Sequence, residues 1–375
     1  MRVLHLSSLH RGDDSRMVMK MAFATAKQYP TTVIATRVKA RHPSIQYKLV
    51  PFYASLWKRL LFVHLRVLWI SLRARPRLVH VHAPELLPIA YLLHVLGAVV
   101  IYDVYENMPR QLAVKQINNG WLYRATFTCF DRLARRLFYF IFAEDSYLES
   151  YQNLRKTYAV IHNFPDLSTI PVYTKPADSV HPSFFYLGQI SKARCIDVMI
   201  QASVLLKKQY PDFRWHIFGQ VAFDLTSFHE IEALPGYEEV KDHFIFHGYT
   251  PALQAYPVAA ESLAGVALIR PIGDFPGSYP TKIFEYMALG LPVITSDFPL
   301  YQAVVEQHQC GFCLNPTDVQ SLYTHLVYLI EHPSERNQMG LNGKKAVREG
   351  YNWAAEEQKL QAFYQKIIVQ ESIQP

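Results

Sequence analysis

Residues 278–297, SYPTKIFEYMALGLPVITSD, join a proline-marked turn to a helix and then to a short apolar strand. The first turn of the helix carries Lys282 and Glu285. A helix start points backbone N–H groups and the positive end of the helix dipole at a bound anion. Glu285 lies one turn beyond Thr281, so a carboxylate that can accept ribose hydroxyls stands beside N–H groups that can hold phosphates. The stretch predicts a nucleotide site. The alternative is an ordinary α/β segment in which Glu285 only interacts favourably with the helix dipole.

The same stretch resembles the signature of the family 4 glycosyltransferases (glycosyl transferases group 1), which have the GT-B fold. In that family a Glu near the start of this helix contacts the ribose of the donor nucleotide, and the helix N-terminus holds the phosphates. The form YPTKIFEYMALGLPVITSD is close to that of members that act in bacterial surface polysaccharide biosynthesis. The resemblance implies a hexosyltransferase that moves a sugar from a nucleoside diphosphate sugar to a saccharide or lipid-linked acceptor, with retention.

Length and composition agree with a two-domain globular protein. The chain has 375 residues, of which 50% are hydrophobic and 18% charged, and this is too long for one ordinary core. Four cysteines do not make a disulfide framework, and the start MRVLHLSSLHRGDD is typical of a strand and a polar loop rather than a signal peptide. We therefore expect a cytoplasmic protein.

The first part of the chain alternates strands and helices, which predicts a parallel doubly wound sheet with ligands at the carboxyl ends of its strands. A helix is expected over residues 15–28. The predicted strands are residues 2–8, 32–36, 77–82, 98–104 and 139–143.

The pattern restarts after residues 162–183, a stretch with four prolines that is the best candidate for a linker. The resemblance implies an α/β fold of the GT-B type, with two Rossmann-like domains facing each other across a cleft. Residues 1–165 are expected to bind the acceptor and residues 166–351 the nucleotide sugar. Residues 352–375 are expected to form a helix that crosses back to the first domain.

The resemblance carries over to the donor side residue by residue. Gly188 matches a family glycine at the end of the first strand of the second domain, where the backbone approaches the donor. The family's "G-R" is changed here to Gly188-Gln189, and Cys195 replaces the glycine of its later "R-G", while Arg194 keeps the second cation. Lys192 or Lys282 then compensates for the missing Arg. The expected donor-binding residues are Gly188, Gln189, Lys192, Arg194, Gly219, Ser278, Tyr279, Pro280, Thr281, Lys282, Ile283 and Glu285.

Two segments of the first domain resemble acceptor-side elements of the family. HRGDDSRMVMK (10–20) is similar to the opening loop and helix, and HVHAPELL (80–87) is similar to "H-x-H-D-x-x-x-L" at a strand end. For His80 and His82 the alternative is ordinary strand-end hydrogen bonding, with the two imidazoles expected on opposite faces of the strand. The residues expected to bind the acceptor are Gly12, Asp14, Arg16, His82 and Arg110.

The segment IYDVYENMPRQL (101–112) resembles the family's "Y-D-x-H-E-x-x-P", but Tyr105 stands where many relatives have His. A phenol hydrogen-bonds a sugar hydroxyl yet is a poor base near neutral pH. Gly277 also replaces the first acid of the family's paired-Glu motif. The resemblance implies a retaining mechanism in which no protein nucleophile is needed, and we expect Asp13, Tyr105 and Glu106 at the reacting groups.

Charge is unevenly distributed along the chain. Residues 1–165 hold 23 Lys and Arg against 9 Asp and Glu, whereas the remainder holds 15 against 22. Residues 52–77 and 121–140 combine the basic residues with apolar and aromatic ones, but neither has the uncharged run of about 20 residues that spans a bilayer. We therefore predict peripheral contact with an anionic membrane, at the inner face of the cell membrane, and no nucleic-acid partner.

The 52–77 stretch predicts a helix with a broad apolar side and a basic rim. The alternative is a partly buried helix whose charges are simply solvated. The expected apolar side is Trp57, Leu60, Leu61, His64, Leu68 and Trp69, and the expected rim is Lys58, Arg59, Arg66 and Arg73.

Other classes of function are less well supported. Cys310 and Cys313 form a CxxC, but it leads from a turn into a strand rather than opening a helix as a redox pair does. Neither a zinc site nor a divalent metal is implied, because no matching ligand spacing occurs at a strand end of the second domain. Two alternatives to a transferase stay open: a nucleotide-sugar epimerase of the same fold, and a non-catalytic GT-B-like subunit that supports a partner transferase.

Overall fold

The computed structural model describes residues 1–39, 41–114, 121–173 and 181–373. Part of the predicted 162–183 linker, residues 174–180, lies outside this range. The chain divides into two compact units, which are Met1–Asn163 together with Trp353–Pro375, and Phe164–Asn352. No helix in the described ranges is both long enough and apolar enough to cross a membrane.

In the described part of the chain, the first unit holds a seven-stranded parallel sheet with the strand order β3-β2-β1-β4-β5-β6-β7. The order reverses direction between β1 and β4, which is the switch point where ligands bind in doubly wound sheets. The strands are β1 (Val3–Leu6), β2 (Thr31–Ala35), β3 (Ile45–Leu49), β4 (Leu78–Val81), β5 (Val99–Val104), β6 (Tyr139–Phe142) and β7 (Tyr158–Val160).

The five strands predicted for this unit are present, but β3 and β7 were not predicted. Both are edge strands and lack the continuous apolar run of the central ones. Burial along β3 alternates between its inner and outer face, and β7 has only three residues. The sequence signal therefore weakens at the two edges of the sheet.

The second unit repeats the design with a sheet that has six parallel strands in its described residues, in the order β10-β9-β8-β11-β12-β13. Its switch point lies between β8 and β11. Together the two Rossmann-like units confirm the predicted fold class. The strands are β8 (Ser183–Leu187), β9 (Arg214–Phe218), β10 (Phe244–Gly248), β11 (Ala264–Ala267), β12 (Val293–Ser296) and β13 (Gly311–Leu314).

Helices cover both sheets, and their apolar faces pack against the strands to form the cores. Two wider-wound segments extend them: Met17–Ala22 leads into α1, and Arg59–Val63 joins α2 to α3. The α-helices are α1 (Phe23–Ala26), α2 (Leu56–Lys58), α3 (His64–Ala74), α4 (Leu87–Val95), α5 (Met108–Val114), α6 (Trp121–Leu137), α7 (Ile196–Lys207), α8 (His229–Glu232), α9 (Tyr237–Val240), α10 (Ala252–Glu261), α11 (Thr281–Leu289), α12 (Pro299–Val305), α13 (Val319–Glu331), α14 (Pro333–Glu349) and α15 (Trp353–Gln370).

The last helix, α15, packs on the sheet of the first unit. Leu360, Phe363 and Ile367 are buried in a cluster with residues of β1, β5 and β6. The Glu356 carboxylate accepts the His162 backbone N–H at 2.8 Å and is fully buried. The helix thus belongs to the core of the first unit although it lies at the other end of the sequence.

The two histidines at the end of β4, His80 within it and His82 directly after it, do not point to opposite faces of the strand, so that expectation is wrong. His80 and His82 are two residues apart, and side chains two apart on a strand share a face. Their rings stack with centroids 4.3 Å apart. Both side chains are buried, which places them in the interior of the unit.

The CxxC pair is structural in this fold. Cys310 is buried and precedes β13, as the sequence predicts for a turn leading into a strand. Burial raises the pKa of the Cys310 thiol to about 12, and burial also raises the pKa of Cys313. Because the thiolate is the reactive form, neither thiol is activated for redox chemistry.

Candidate functional site

Two glycines bring the ends of β8 and β9 into backbone contact. A side chain on Gly219 would place its Cβ 1.8 Å from the carbonyl oxygen of Gly188. Both residues also have φ in the region that favours glycine, 152° for Gly188 and 150° for Gly219. The predicted close approach at this strand end is therefore present, and any larger residue would separate the two strands.

The Lys282 side chain lies over Gly188. A Cβ built on Gly188 would lie 3.0 Å from Lys282 Nζ, and that nitrogen is 4.4 Å from the centre of the Tyr186 ring. Tyr186 in turn donates its hydroxyl to the Gln189 carbonyl oxygen. The first turn of α11 is thus held against the end of β8 by a cation–π contact.

Lys282 is buried, and its ammonium is poorly neutralised. Burial and the nearby Arg194 charge hold the pKa of Lys282 well below its usual range, and the Glu285 charge only partly opposes them. Within the described ranges, neither Lys282 nor Arg194 forms an ion pair. Two cations without a close counter-charge make this strand end favourable for an anion.

Arg194 is carried by a short turn that the sequence places correctly after β8. The Ser191 hydroxyl caps the Lys192–Arg194 turn by accepting the Arg194 backbone N–H at 3.2 Å. The Arg194 guanidinium lies 5.7 Å from the centre of the Phe275 ring, next to the loop that precedes α11. The cation is therefore positioned by the turn on one side and an aromatic ring on the other.

The turn that carries Lys192 is held by Asp224, a residue that the sequence analysis did not single out. The Asp224 carboxylate accepts the backbone N–H groups of Lys192 and Ala193 at 2.8 and 2.7 Å. The Arg270 guanidinium donates to the Lys192 carbonyl oxygen of the turn at 2.5 Å and to Asp197 of α7 at 2.8 Å. The Lys192 side chain itself is exposed. Asp224 lies in a segment without a motif, so no local signal could have found it.

Glu285 lies on the same helix face as Thr281 and is half-buried. Its charge affects the pKa values of both Lys282 and Tyr256, so it belongs to the same electrostatic cluster. The structure therefore brings together Gly188, Arg194, Lys282 and Glu285, which the sequence placed at three separate points of the chain.

The loop before α11 is held rigidly in place. The Tyr301 hydroxyl lies 2.7 Å from the Phe275 carbonyl oxygen and 3.1 Å from that of Ser278, within hydrogen-bonding distance of both. The Tyr279 ring packs against Phe284 with centroids 5.3 Å apart. Pro280 is the N-cap of α11, and the Ile283 N–H bonds back to its carbonyl at 3.1 Å. The first N–H groups of the helix are thus presented by a preformed loop.

The first unit contains a buried polar chain at the ends of β4 and β5. Arg16 contacts Asp103 through two nitrogens, at 2.8 and 3.2 Å, and donates a third bond to the Ile161 carbonyl. His82 Nδ1 lies 2.9 Å from Asp103, and His82 Nε2 lies 2.9 Å from His5 Nδ1. Although burial opposes it, the Arg16 charge and the bond from His82 hold the pKa of Asp103 well below its usual range.

The ionised Asp103 fixes one proton of this chain. Its carboxylate only accepts, so His82 carries a proton on Nδ1. His5 Nε2 lies 2.9 Å from the Thr25 hydroxyl, so both ring nitrogens of His5 have a hydrogen-bonding partner. Burial lowers the pKa of His5 well below its ordinary value, which favours the neutral ring.

Several residues expected to bind the acceptor are engaged within the fold. All three guanidinium nitrogens of Arg16 are bonded, and the side chain is buried. Asp14 accepts the backbone N–H of Met17 at 2.7 Å, and Asp13 pairs with Arg11 at 2.9 Å. A Cβ on Gly12 would lie 2.8 Å from the Val38 side chain. These contacts fix the opening loop, and an acceptor role for its residues stays a prediction.

Tyr105 and Glu106 lie exposed just beyond the end of β5. The Tyr105 ring has the Arg16 guanidinium 5.6 Å from its centre. Burial of its hydroxyl end raises the pKa of Tyr105, so the phenol is protonated near neutral pH and suits hydrogen bonding rather than proton abstraction. Arg110 lies farther along α5 and pairs with Glu149.

His10 is a candidate that the sequence did not single out. It follows β1, and its Nδ1 lies 2.7 Å from the Ser7 hydroxyl. Burial lowers its pKa, while the charges of Asp14 and Glu106 oppose that shift, so the ring lies in their field. A lone His in a loop carries no motif, and only the folded sheet brings the ends of β1 and β5 to the same edge, with β4 between them.

One cluster of possible metal ligands exists among the residues described. His5, His80 and His82 have ring nitrogens within 4.8 Å of one another. However, His5 Nδ1 and His82 Nε2 face each other in a hydrogen bond, and His80 Nδ1 binds the Tyr364 hydroxyl at 2.7 Å. The first two nitrogens would have to turn away from each other to ligate an ion, so the observed arrangement serves hydrogen bonding.

The second unit is similar in sequence to a known protein family. Residues 175–346 match the sequence model of the family described as Glycosyl transferases group 1. This range includes β8, the Arg194 turn and α11, which carry the anion-binding cluster. A search of curated protein sequences found none that matches significantly.

Solved structures share the fold over the whole chain. Sucrose-phosphate synthase from Thermosynechococcus elongatus superposes with a TM-score of 0.75 at 14% identity, covering 98% of this chain and 99% of that one. Anabaena HepE, solved with UDP-glucose, has a TM-score of 0.70 at 14% identity, covering 98% and 100%. WaaG, a glycosyltransferase involved in lipopolysaccharide biosynthesis, has a TM-score of 0.67 at 13% identity, covering 96% and 99%. The fold is therefore that of the GT-B glycosyltransferases.

Proposed function

We propose that this chain is a family 4 glycosyltransferase that moves a hexose from a nucleoside diphosphate sugar to a saccharide or lipid-linked acceptor. The observation that carries the proposal is the cluster at the end of β8. There the buried Lys282 ammonium lies over Gly188 and within the field of the Arg194 charge, and neither cation has an ion-pair partner in the described residues. A diphosphate supplies the two or more negative charges that such a site lacks.

The diphosphate and the ribose of the donor would contact different groups of the cluster. The diphosphate would lie against Lys282, Arg194 and the first N–H groups of α11, where the helix dipole adds to the attraction. Glu285, one turn on, would accept hydrogen bonds from the ribose hydroxyls. The family match and the UDP-glucose complex of the structurally similar HepE support a nucleotide sugar as the ligand.

The same groups suit the transfer step with retention. The bond between the anomeric carbon and the diphosphate oxygen breaks, and the acceptor hydroxyl oxygen forms the new bond on the same face. The acceptor proton passes to the departing diphosphate, so no protein base or nucleophile is needed. Lys282, Arg194 and the helix start stabilise the charge that develops on the leaving group. The proposed reaction uses no metal ion, since these cations take the role of one.

We further propose that the first unit binds the acceptor at the ends of β1 and β5. Tyr105, Glu106 and His10 offer hydrogen-bonding groups there, and the buried Arg16–Asp103–His82 chain keeps the strand ends in register. The similarity to WaaG, which takes part in lipopolysaccharide biosynthesis, supports a saccharide acceptor in surface polysaccharide biosynthesis.

Product analysis with a panel of UDP and GDP sugars, with and without saccharide and lipid-linked acceptors, tests the proposal. Release of nucleoside diphosphate with formation of a glycosylated acceptor is expected, and NMR of the product reports the anomeric configuration. Conversion of the donor to its epimer without an acceptor would identify an epimerase instead. Donor binding without turnover on any acceptor would indicate a non-catalytic subunit.

A further inference from the structure

The helical segment 56–74, which comprises α2, Arg59–Val63 and α3, leaves a row of large apolar side chains in solvent. Their exposed fractions range from 43% to 67%. Apart from the adjacent Leu61 and Phe62, successive positions are three or four residues apart, so they lie on one side of the helix. Isolated exposed apolar residues are common in proteins, but a row along one helix marks an interaction surface. The residues are Trp57, Leu61, Phe62, Leu65, Trp69 and Leu72.

The opposite side of the 56–74 segment is firmly anchored. Val63, Val67 and Ile70 are buried in the core of the first unit. Arg59, expected on the solvated rim, is instead buried and contacts Glu85 at 2.8 Å. Burial disfavours the charge on Glu85, but the nearby His64 and hydrogen bonds from Arg59 and Ser8 lower its pKa to about 2. The outward orientation of the apolar row is therefore imposed by the core.

The structure adds a third helix to the two stretches that the sequence indicated. Helix α4 packs against both α3 and α6. Its last turn and the residue after it expose Leu92, Val95 and Leu96 by 39%, 64% and 63%. From its sequence alone, such an apolar helix is predicted to be buried in the core. The structure shows that its C-terminal end is instead exposed to solvent.

The exposed charged side chains of the 56–74 segment and of α6 are basic, and the nearby acidic residues Glu85 and Asp131 are buried. Residues 15–84 contain 13 Lys and Arg and no Asp or Glu. Lys58, Arg66 and Arg73 are exposed beside the apolar row, and the Arg73 guanidinium lies 4.5 Å from the centre of the Trp69 ring. Helix α6 contributes three more exposed arginines, Arg124, Arg132 and Arg136. A partner of this surface must tolerate apolar insertion and carry negative charge.

We propose that the 56–74 segment, the end of α4 and the exposed face of α6 form one docking surface for an anionic lipid bilayer. The apolar row would enter the boundary between headgroups and acyl chains, and the basic residues would contact the lipid phosphates. Tryptophan and arginine are suited to this boundary because each combines an apolar body with a polar end. A nucleic acid would attract the cations but would leave the apolar row in water.

Vesicle flotation of the full chain, without any donor, tests the docking surface independently of catalysis. Binding to vesicles of phosphatidylcholine with phosphatidylglycerol is expected, and binding to phosphatidylcholine alone should be much weaker. Leu65→Ser should lower the affinity for anionic vesicles by about tenfold or more, because the leucine no longer enters the bilayer. Leu341→Ser is the matched control, since Leu341 is 61% exposed on the second unit and should have no effect.

The basic residues are tested separately. Arg66→Gln should weaken binding to anionic vesicles about fivefold, the contribution of one basic residue near a charged surface. Lys208→Gln, an exposed lysine of the second unit, should leave it unchanged. The four substituted side chains, Leu65, Leu341, Arg66 and Lys208, are exposed, so the substitutions should not disturb the core. Melting curves equal to that of the wild type verify that each variant is folded.

Two outcomes would overturn the proposal. One is equal binding of wild type and Leu65→Ser to anionic vesicles. The other is a wild-type dimer in light scattering that Leu65→Ser converts to monomer while neither protein binds vesicles, because the apolar row would then be a contact between copies of this chain.

Discussion

The Lys282 ammonium lies 4.4 Å from the centre of the Tyr186 ring, which joins the first turn of α11 to strand β8. This contact holds a buried cation above Gly188, where the chain leaves no room for a side chain. The cation is costly in the free protein, because burial and Arg194 both disfavour its charge. A bound diphosphate would stabilise the charged form of Lys282, so diphosphate binding and protonation of Lys282 favour each other.

Replacing Lys282 should test this coupling directly. Lys282→Met removes the charge but keeps a long side chain over Gly188, and we expect UDP affinity to fall by about ten- to a hundredfold, the cost of a lost charge-assisted hydrogen bond. The melting temperature without ligand should stay equal or rise, because a poorly neutralised buried charge is gone. Isothermal titration calorimetry and thermal shift measure the two effects. Lys344→Met is the control, and an unchanged UDP affinity of Lys282→Met would contradict the site.

Donor binding should take up a proton at Lys282. The pKa of the free-state ammonium lies well below its usual range, and a bound diphosphate raises it. Affinity should therefore rise as the pH falls through the bound-state pKa and level off below the free-state pKa. Calorimetry in buffers of different ionisation enthalpy measures the uptake between these two pH values. The Lys282→Met variant should show no such buffer dependence.

Glu285 should affect the nucleoside rather than the phosphates. Glu285→Gln is expected to weaken UDP binding by about tenfold or more, because hydrogen bonds to a charged group contribute about 1.5–3 kcal/mol. Binding of inorganic pyrophosphate should change little, since it has no ribose. Competition between the two ligands in a thermal shift assay separates these effects. An equal loss for both ligands would mean that Glu285 acts on the cations instead, and Glu349→Gln is an exposed control.

Asp103 should dominate the stability of the first unit. Asp103→Asn leaves the Arg16 charge buried and unpaired, and we expect a loss of about 3–5 kcal/mol in the free energy of unfolding. Asp13→Asn, which breaks a partly exposed pair with Arg11, should cost about 1 kcal/mol or less. Urea denaturation of both variants gives the comparison.

The pH dependence of this contribution has a defined sign. The folded-state pKa of Asp103 is depressed, so its stabilisation is present above the unfolded value of about 3.9 and is lost as the pH falls toward the folded value. Below about pH 4 the wild type should therefore lose stability more steeply than Asp103→Asn. Parallel slopes would show that another carboxylate controls the acid transition.

Tyr105 should bind rather than transfer protons. Tyr105→Phe is expected to lower kcat/KM by no more than about tenfold, the effect of one lost hydrogen bond. A phenol whose pKa is raised further by burial does not serve as a base near neutral pH. Initial rates against acceptor concentration measure the change. A loss of about a hundredfold or more in kcat would assign proton transfer to Tyr105, and Tyr249→Phe is an exposed control.

The sequence determined the parts of this protein that depend on local periodicity and short motifs. Alternating strands and helices predicted two doubly wound sheets, and SYPTKIFEYMALGLPVITSD placed Thr281, Lys282 and Glu285 on one helix start. The edge strands β3 and β7 escaped prediction, because an edge strand buries less and so needs less apolar sequence.

Only the tertiary structure decided which of these residues meet. It brought Lys282 over Gly188, paired Arg16 with Asp103 across 87 positions, and joined His80 to Tyr364 across 284. It also left the row from Trp57 to Leu72 uncovered while burying Arg59. Periodicity records which face of an element is apolar, but the partner of that face, and whether it has one, depends on contacts between distant segments that form only when the sheets assemble.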